Sequence, residues 1–338
     1  MPPTTGHAPP QTPSQPHVVA TRGAFVEATH PFSATFARFR PDCGRAEFAN
    51  GAEVVDSVGA AFSSPWRSAA KPMQLEASLR CLPPALASEI AADASLLAIA
   101  AASHSAEPGH VEAVERLFAV LGVGPDDLFC GCHRPMNEAA ADALLRAGRH
   151  FDVRHNNCSG KHAMMAAAAR ALGADADYRP ADHPLQVQIA ALIERLTNTP
   201  AISAGDGCGV PTFCVDTAAM ARAYAALAGA MRDAPGELRG TIGWAMARQP
   251  WLTSGSERFD LLLAERATRP IVGKIGAMGV FCVAVPDLGV GVGVKIHSGS
   301  TLALPAAVEA VLERWIPGLL APRPADWAPT TTLDVAGR

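Results

Sequence analysis

β-type segments lie at both ends of this chain, and helical periodicity fills its middle. Short runs of β-branched and aromatic residues, separated by turn residues, extend from Val18 to about Ser63. Similar runs return near the C-terminus as PIVGKIG, GVFCVAV and GVGVGVKIH. Between about Ser68 and Arg266 the apolar residues recur with helical spacing. Neither group of strands is large enough to bury both of its faces, so we expect the two groups to pair with each other.

This arrangement predicts an α+β fold, in which N-terminal and C-terminal strands form one antiparallel sheet that helices flank, with a mainly helical middle lobe. The predicted single domain spans residues 18–316, with its sheet in about 18–67 and 266–316 and its lobe in about 68–265. Residues 1–17 are predicted to be a disordered tail and residues 317–338 a C-terminal tail. We expect the functional site to lie between the sheet and the lobe.

Five helices can be placed from apolar spacing and end signals. Asp182 is the expected cap of one of them. The predicted helices are Pro108–Leu121, Gly160–Leu172, Pro184–Leu196, Asp216–Arg232 and Leu304–Trp315.

The composition argues against several classes of partner. The net charge is -4, so the chain has no excess of basic residues for binding nucleic acid. No stretch approaches the run of about 18 apolar residues that a membrane span needs. The first 16 residues contain six prolines and no apolar core of a signal peptide, so we expect a cytoplasmic protein. The eight cysteines lie mostly in apolar contexts and predict reduced thiols rather than disulfides.

Lysine is rare in this chain. Only four of the 28 cationic residues are lysine, and the other 24 are arginine. Arginine does not deprotonate in proteins, whereas a buried lysine can become an amine base. Lys71, Lys161, Lys274 and Lys295 are therefore candidates for chemistry that a guanidinium cannot perform. The alternative is a composition bias that left four lysines at random positions.

Ser68 and Lys71 form an S-x-x-K pattern at the opening of a helical segment, which places both side chains on one face, one turn apart. A serine hydroxyl needs a base before it becomes a nucleophile, and a lysine can serve when burial lowers its pKa. The pattern alone is weak evidence because it is common. The alternative is a helix-capping serine followed by a surface lysine.

Two further segments carry the same residue types. Ser103 lies in ASHSAE, where an apolar run ends in hydroxyl, imidazole and carboxylate groups. Capping of the next helix by Ser105 or Glu107 would explain that segment equally well. Lys274 lies in GKIG before a strand, and this pattern resembles the K-x-G element that serine acyl-transferases of the β-lactamase type place opposite S-x-x-K.

Two loops contain cysteines in polar settings. Cys158 lies in NNCSGKH, where a helix N-terminus, Lys161 and His162 favour its thiolate. Cys208 lies in the glycine-rich segment GDGCGVPT together with Asp206. Two thiolates and a nitrogen donor could hold one zinc ion, although no C-x-x-C pair is present. Two buried thiols in tight turns are the alternative.

The chain resembles the bacterial L-asparaginase II family of the inducible, thermolabile rhizobial type. The segments that carry the resemblance are, in order, WRSAAKP, ASHSAE, CGCHRP, NNCSGKH, DHPLQ, GDGCGVPT and VGKIG. It extends roughly from Val18 to Ile316, and CSGKH with DGC-x-x-PT is specific in combination. The resemblance implies a fold similar to serine β-lactamases and serine-dependent glutaminases. It also implies a homodimeric hydrolase that converts L-asparagine to L-aspartate and ammonia.

The resemblance further implies two adjacent Ser-Lys pairs, Ser68 with Lys71 and Ser103 with Lys274. A serine oxygen would attack the side-chain amide carbon, release ammonia and leave an acyl-enzyme for water to hydrolyse. Ser68 is the preferred nucleophile and Ser103 is the alternative.

The resemblance implies a zinc ion that tunes substrate affinity without acting as a Lewis acid, held by Cys158, Lys161 and Cys208. The residues expected to bind the substrate are Arg67, Asp206 and His162, and for Arg67 a structural ion pair is an equal alternative. Lys295 has no assigned role.

The sequence departs from the family pattern beside the inferred site, at Ala106, Met164 and Gly209–Val210. Two alternative functions therefore stay open at this point. One is a glutaminase or another serine acyl-transferase that uses the same Ser-Lys groups. The other is a non-catalytic zinc-binding regulator on the same scaffold.

Overall fold

The structure, a computed structural model, describes residues 15–40, 51–323 and 332–336. Most of the predicted N-terminal tail lies outside these residues, as does the part of the N-terminal strand region from 41 to 50. His17, the last residue of that predicted tail, begins the first strand.

Ten strands form two sheets in this part of the chain. They are β1 (His17–Arg22), β2 (Phe25–Phe39), β3 (Ala52–Val58), β4 (Ser64–Pro65), β5 (Ser203–Gly205), β6 (Pro211–Val215), β7 (Val272–Gly276), β8 (Val280–Val285), β9 (Val290–Ile296) and β10 (Thr332–Ala336). The larger sheet has the order β10-β1-β2-β9-β8-β7, with β3 also paired to β2, and all its pairings are antiparallel. The smaller sheet has the order β4-β6-β5.

The two ends of the chain meet where β2 pairs with β9, from Phe32 opposite Ile296 to Arg38 opposite Val290. This pairing confirms the predicted antiparallel sheet and, with the helical middle of the chain, the α+β class. The sheet has one more edge strand than predicted. This strand is β10, which lies in the segment predicted as a C-terminal tail and pairs with β1.

Twelve α-helices cover the sheets in the described residues. They are α1 (Lys71–Cys81), α2 (Pro84–Ala91), α3 (Ala94–Ala100), α4 (Pro108–Leu121), α5 (Glu138–Arg146), α6 (Ser159–Ala171), α7 (Pro184–Thr197), α8 (Thr217–Asp233), α9 (Leu238–Arg248), α10 (Pro250–Thr253), α11 (Phe259–Arg266) and α12 (Leu304–Trp315). All five predicted helices are present within one residue at each end. Among the described residues, no helix has the length and apolar character that crossing a membrane requires.

The cap of α7 differs from the expectation. His183, not Asp182, is the capping residue, and its Nδ1 accepts a hydrogen bond from the backbone N–H of Leu185 at 3.1 Å. The helix begins directly at Pro184, so the residue before that proline is the one placed to cap it.

The main sheet is buried on both faces, because α12 covers one face and the helical lobe with α8 covers the other. Successive side chains of β8 alternate between the two cores, as the pleat of a strand requires. On the lobe side lie Val280, Cys282 and Ala284, and on the α12 side lie Phe281, Val283 and Val285.

Glycines in β9 let α8 lie directly on the sheet. A Cβ atom at Gly291 would overlap the backbone N of Ala225 and the backbone O of Ala221, both in α8. A Cβ at Gly293 would lie 2.7 Å from the backbone O of Thr217. The GVGVGV pattern therefore fixes the distance between the lobe and the sheet.

We predict that Gly291→Ala destabilises the protein strongly, because the new methyl group meets helix backbone that cannot move aside. Overpacking of this kind lowers the free energy of unfolding by about 3 kcal/mol. Gly236→Ala is the matched control, since a Cβ there meets no atom within 4 Å. Denaturant unfolding of both variants measures the difference, and equal midpoints would contradict the close packing.

Candidate active site

The turn that carries Ser68 is held against the sheet by a buried tryptophan. Trp66 is fully buried, and its indole donates a hydrogen bond to Cys282 Sγ on β8 at 3.4 Å. Arg67–Ala70 form one 3-10 turn that leads directly into α1 at Lys71. The S-x-x-K segment is therefore helical, as predicted, and lies between the sheet and the lobe.

Ser103 lies between two lysine amines. Its Oγ is 3.0 Å from Lys71 Nζ and 2.9 Å from Lys274 Nζ. All three side chains are at most 2% exposed. Lys71 comes from α1, Lys274 from β7 and Ser103 from the loop after α3, so the network forms only where the lobe meets the sheet. The structure thus joins Ser103 to its predicted partner Lys274 and also brings Lys71 to the same hydroxyl.

The remaining hydrogen bonds of the two amines differ. Lys71 Nζ also donates to the backbone oxygens of Ala102 and of Asn157, the second at 3.1 Å, so three acceptors surround it as an ammonium requires. Lys274 Nζ has one further acceptor, the backbone oxygen of Ile275 at 3.0 Å. A neutral Lys274 amine can therefore accept the serine proton while Lys71 remains charged.

Burial lowers the pKa of both lysines. The pKa of Lys274 falls to about 7 because the buried ammonium loses hydration, and the charge of Lys71 lowers it while Asp260 opposes the shift. Burial also lowers the pKa of Lys71, and Cys158 opposes that shift. Two cations beside the same oxygen further disfavour double protonation. Near neutral pH one of the two amines is therefore available as a base.

Ser68 faces a cavity of about 350 Å³ that Ser103 does not line. The Ser68 side chain is half-buried, and within the described residues it makes no hydrogen bond. Access therefore favours Ser68 as the residue that meets a substrate, whereas hydrogen bonding favours Ser103 as a residue that carries protons. The other polar residues that line the cavity are Arg67, His133, Asn156, Asn157, Cys158, Asp206 and Cys208.

Arg67 and Asp206 form an ion pair on the cavity wall, with Arg67 Nε 2.7 Å from Asp206 Oδ1. Arg67 has a left-handed φ of 57°, which is uncommon for a residue other than glycine. Its backbone N–H donates to Thr212 Oγ1 at 2.9 Å, which helps to hold this conformation. The cavity therefore presents a guanidinium and a carboxylate side by side, next to Ser68.

Cys158, Lys161 and Cys208 meet beside the same cavity, and all three are buried. Lys161 Nζ donates to Cys208 Sγ at 3.0 Å, and Cys158 lies just before the first turn of α6, which contains Lys161. A hydrogen bond from Cys208 lowers the pKa of Cys158 well below its ordinary value, and the charges of Lys71 and Lys161 act in the same direction. In this cluster the Cys158 thiolate is therefore favoured by the positive charges of Lys71 and Lys161.

The chemistry of this cluster fits a zinc ion, because two sulfurs and one nitrogen are ligand atoms that zinc prefers. The described residues contain no group of three or more His, Cys, Asp and Glu placed to hold a metal, so the third ligand would have to be Lys161. Burial lowers the pKa of Lys161, but Cys208 and Cys158 raise it above its ordinary value. A metal would therefore have to displace the Lys161 proton.

His162 does not line the cavity. Its ring is fully buried, and its Nδ1 lies 2.9 Å from Tyr178 Oη. This placement does not support the predicted contact with substrate, because the ring lies within the core of the lobe.

The polar cavity residues without a role assigned from the sequence include His133 and Asn157. His133 Nε2 accepts a hydrogen bond from the backbone N–H of Asn157 at 3.0 Å, and its Nδ1 donates to Arg134 O at 2.7 Å. Both residues lie inside segments that carried the resemblance, CGCHRP and NNCSGKH. Their polar character within those segments is the signal that could have identified them.

Lys295 is buried away from Ser103. Its Nζ donates to the backbone oxygens of Met278, at 2.8 Å, and of Ile296, and lies 5.3 Å from the centroid of the Phe62 ring. These partners are the ones that a structural ammonium needs.

A protein-family model for L-asparaginase II matches residues 18–333. A crystal structure of Mglu in its native form in 4.3 M NaCl has 15% identity and a TM-score of 0.43, and the match covers 87% of this chain and 63% of that chain. Mglu in its tris and glutamate form has 15% identity and a TM-score of 0.42, with 87% and 61% covered. The chain thus spans about three fifths of the length of these solved chains. No curated protein matches it.

We predict that the Lys274 amine titrates near pH 7, charged below that pH and neutral above it, because its burial penalises the ammonium. With ¹³Cε-labelled lysine, NMR of the full chain shows only four lysine side chains, and Lys274→Met assigns the relevant signal. A midpoint near the value of about 10.4 for an exposed lysine would contradict the prediction.

Proposed function

The chain belongs to the L-asparaginase II family, and we propose that it hydrolyses the side-chain amide of L-asparagine to L-aspartate and ammonia. The family match supports an amidohydrolase of the asparaginase or glutaminase type. The observation that carries the proposal is a cavity-facing serine, Ser68, one turn before a lysine that shares Ser103 with a second buried lysine.

In the proposed mechanism, Ser68 Oγ attacks the amide carbon and Lys71 takes the Ser68 proton. Lys71 must first be neutral, and Ser103 makes this possible. Lys71 gives a proton to Ser103 Oγ while the Ser103 hydroxyl gives its own proton to Lys274. The positive charge thus moves from Lys71 on α1 to Lys274 on β7, and the Ser103 side chain remains a neutral hydroxyl.

The tetrahedral intermediate then breaks its carbon-nitrogen bond. The leaving nitrogen takes the proton now on Lys71 and departs as ammonia, which leaves an aspartyl ester on Ser68. Water hydrolyses the ester with the same amine as base. The backbone N–H of Ser68 is the candidate donor to the oxyanion, since the N–H of Arg67 already donates to Thr212.

The charges on the cavity wall suit an amino-acid substrate. Asp206 can bind the α-ammonium group and Arg67 the α-carboxylate group, and the ion pair between them holds both in place before substrate binds. In this arrangement the structural role and the binding role proposed for Arg67 are compatible.

We also propose that Cys158, Lys161 and Cys208 bind a zinc ion. When bound, zinc supplies a fixed positive charge beside the cavity that tunes substrate affinity. Lys161 binds as a neutral amine, so zinc occupancy falls as pH falls.

We further propose a cytoplasmic homodimer in which residues 18–316 act as one catalytic domain. Support for a single domain comes from the Ser103 network, which takes Lys71 from the lobe and Lys274 from the sheet.

The substrate proposal is tested with a coupled ammonia assay on the purified full chain, with L-asparagine and L-glutamine side by side, in the presence and absence of a chelator. We expect faster ammonia release from asparagine. Faster release from glutamine would instead support the glutaminase alternative, and no release from either amide would overturn the proposed reaction.

The mechanism predicts that Ser68→Ala, Lys71→Arg and Lys274→Arg each lower kcat at least about 100-fold, because arginine cannot accept a proton from serine. Thermal unfolding should confirm that each variant is folded. Lys295→Arg is the matched control and should keep its activity, since Lys295 contacts only backbone oxygens and an aromatic ring. Mass spectrometry of the trapped acyl-enzyme should locate the acyl group on Ser68, and an acyl group on Ser103 would reverse the assignment.

The zinc proposal predicts that Cys158→Ser combined with Cys208→Ser abolishes bound zinc in elemental analysis of the purified protein. Cys214→Ser, which changes a cysteine outside the cluster, should keep one zinc ion per chain. One zinc ion per chain in the double variant would place the metal elsewhere.

A further inference from the structure

Arg258 is a half-buried arginine beside the active-site cavity, and the mechanism above does not use it. Its Nη1 donates to Met136 Sδ at 4.0 Å, and Met136 lines the same cavity as Ser68. Within the described residues this is the only hydrogen bond of the Arg258 guanidinium, and it forms no ion pair. A guanidinium has five N–H donors, whereas a thioether sulfur is a weak acceptor. Most donors of Arg258 are therefore available to a ligand.

Two other arginines near the cavity already pair with carboxylates. Arg67 Nε lies 2.7 Å from Asp206 Oδ1. Arg134, the residue after His133, has its Nη2 2.9 Å from Asp142 Oδ1. A carboxylate that entered the cavity would therefore share Arg67 with Asp206, whereas Arg258 has only a sulfur atom to give up.

The loop before Arg258 is attached to the segment that carries Ser103. The backbone N–H of Ser103 donates to the backbone oxygen of Thr253 at 2.9 Å. Glu107 accepts two hydrogen bonds from Ser256, one from the backbone N–H and one from the hydroxyl, both at 2.8 Å. Arg258 follows two residues later, so the position of its backbone is fixed relative to Ser103.

Met136 is held by the same segment. The backbone N–H of the next residue, Asn137, donates to the backbone oxygen of Ser105 at 3.0 Å. The Ser105 hydroxyl in turn donates to the backbone oxygen of Ser254 at 3.0 Å. One segment thus sets the spacing between Met136 and Arg258. Met136 is 42% exposed, so a ligand that displaces its sulfur from the guanidinium does not have to open the core.

We propose that Arg258 is a further substrate-binding residue, which donates to the α-carboxylate of L-asparagine in place of the Met136 sulfur. This inference rests on the proposed function and adds a second guanidinium to that of Arg67. A hydrogen bond between a guanidinium and a carboxylate is much stronger than one to a thioether. Arg67 can then keep its ion pair with Asp206 while the substrate is bound.

The test measures binding without turnover, in the full chain with Ser68→Ala. Addition of Arg258→Gln removes the positive charge. The Kd for L-asparagine in an NMR-detected titration should rise at least about tenfold, because a hydrogen bond to a charged group contributes about this factor. Arg258→Lys keeps the charge and should recover part of the loss.

A second ligand identifies the group that Arg258 binds. β-Alaninamide has the amide and the ammonium group of L-asparagine and lacks the α-carboxylate. Its Kd should be the same with and without Arg258→Gln. A structural defect in the cavity would instead weaken the binding of both ligands.

Turnover gives an independent measurement in the chain that keeps Ser68. Arg258→Gln should raise KM for L-asparagine at least about tenfold and keep kcat within about twofold, because the α-carboxylate contact is the same in the ground state and the transition state. A fall in kcat with an unchanged KM would contradict a role in substrate binding.

Arg248→Gln is the matched control. Arg248 also forms no ion pair within the described part of the chain, and its guanidinium lies over the Trp244 ring, 5.3 Å from the centroid, outside the cavity lining. Both Kd values and the KM should match those of the chain with Arg248.

An unchanged Kd for L-asparagine in the Arg258→Gln variant overturns the inference, and so does an equal rise for both ligands or no binding of L-asparagine before the change. Because the titration needs no turnover, it separates this inference from the proposed function. Absence of ammonia release by the wild type would overturn the proposed function, whereas a loss of affinity confined to L-asparagine would still support the contact with Arg258.

Discussion

The contact between the lobe and the sheet depends on two buried lysine amines, Lys71 and Lys274, that share the hydroxyl group of Ser103. Removing Lys71 and Lys274 from water costs free energy unless each finds hydrogen-bond partners and the two avoid carrying full charge together. Ser103 and nearby backbone carbonyls supply the partners. One lysine belongs to the lobe and the other to the sheet, so the site is also the joint that fixes these two parts of the fold to each other.

Small residues make that joint possible. Gly291 lets α8 lie on the sheet, and Gly160 has the same function inside the lobe, where a Cβ would overlap the backbone oxygen of Ile99. Gly160 belongs to α6 and Ile99 to α3, the helix that leads into Ser103. α6 follows Cys158, and α3 leads into the loop that carries Ser103. The close approach of these two helices is therefore possible only because Gly160 has no side-chain methyl group. In the sequence these glycines could be attributed to composition alone. In the structure they set how closely two elements can pack.

Periodicity predicted the sheet and helices because both depend on local apolar spacing. The scarcity of lysine also indicated Lys71 and Lys274, because the chain has arginine at most of its other cationic positions. That both amines would meet one serine depends on how sheet and lobe pack, which no local pattern contains. His162 lies away from the cavity for a related reason. Neighbouring residues on a helix point in different directions, so adjacency to Lys161 does not place His162 at the cavity.

Burial alone does not make a lysine a base. Burial lowers the pKa of Lys295 as it does for Lys71 and Lys274. Lys295, however, donates only to backbone carbonyls, which accept hydrogen bonds but cannot release a proton in return. The other two amines share a hydroxyl, which can accept a proton from one side while donating its own to the other. The serine between the lysines, rather than the low pKa of either, therefore makes proton transfer possible.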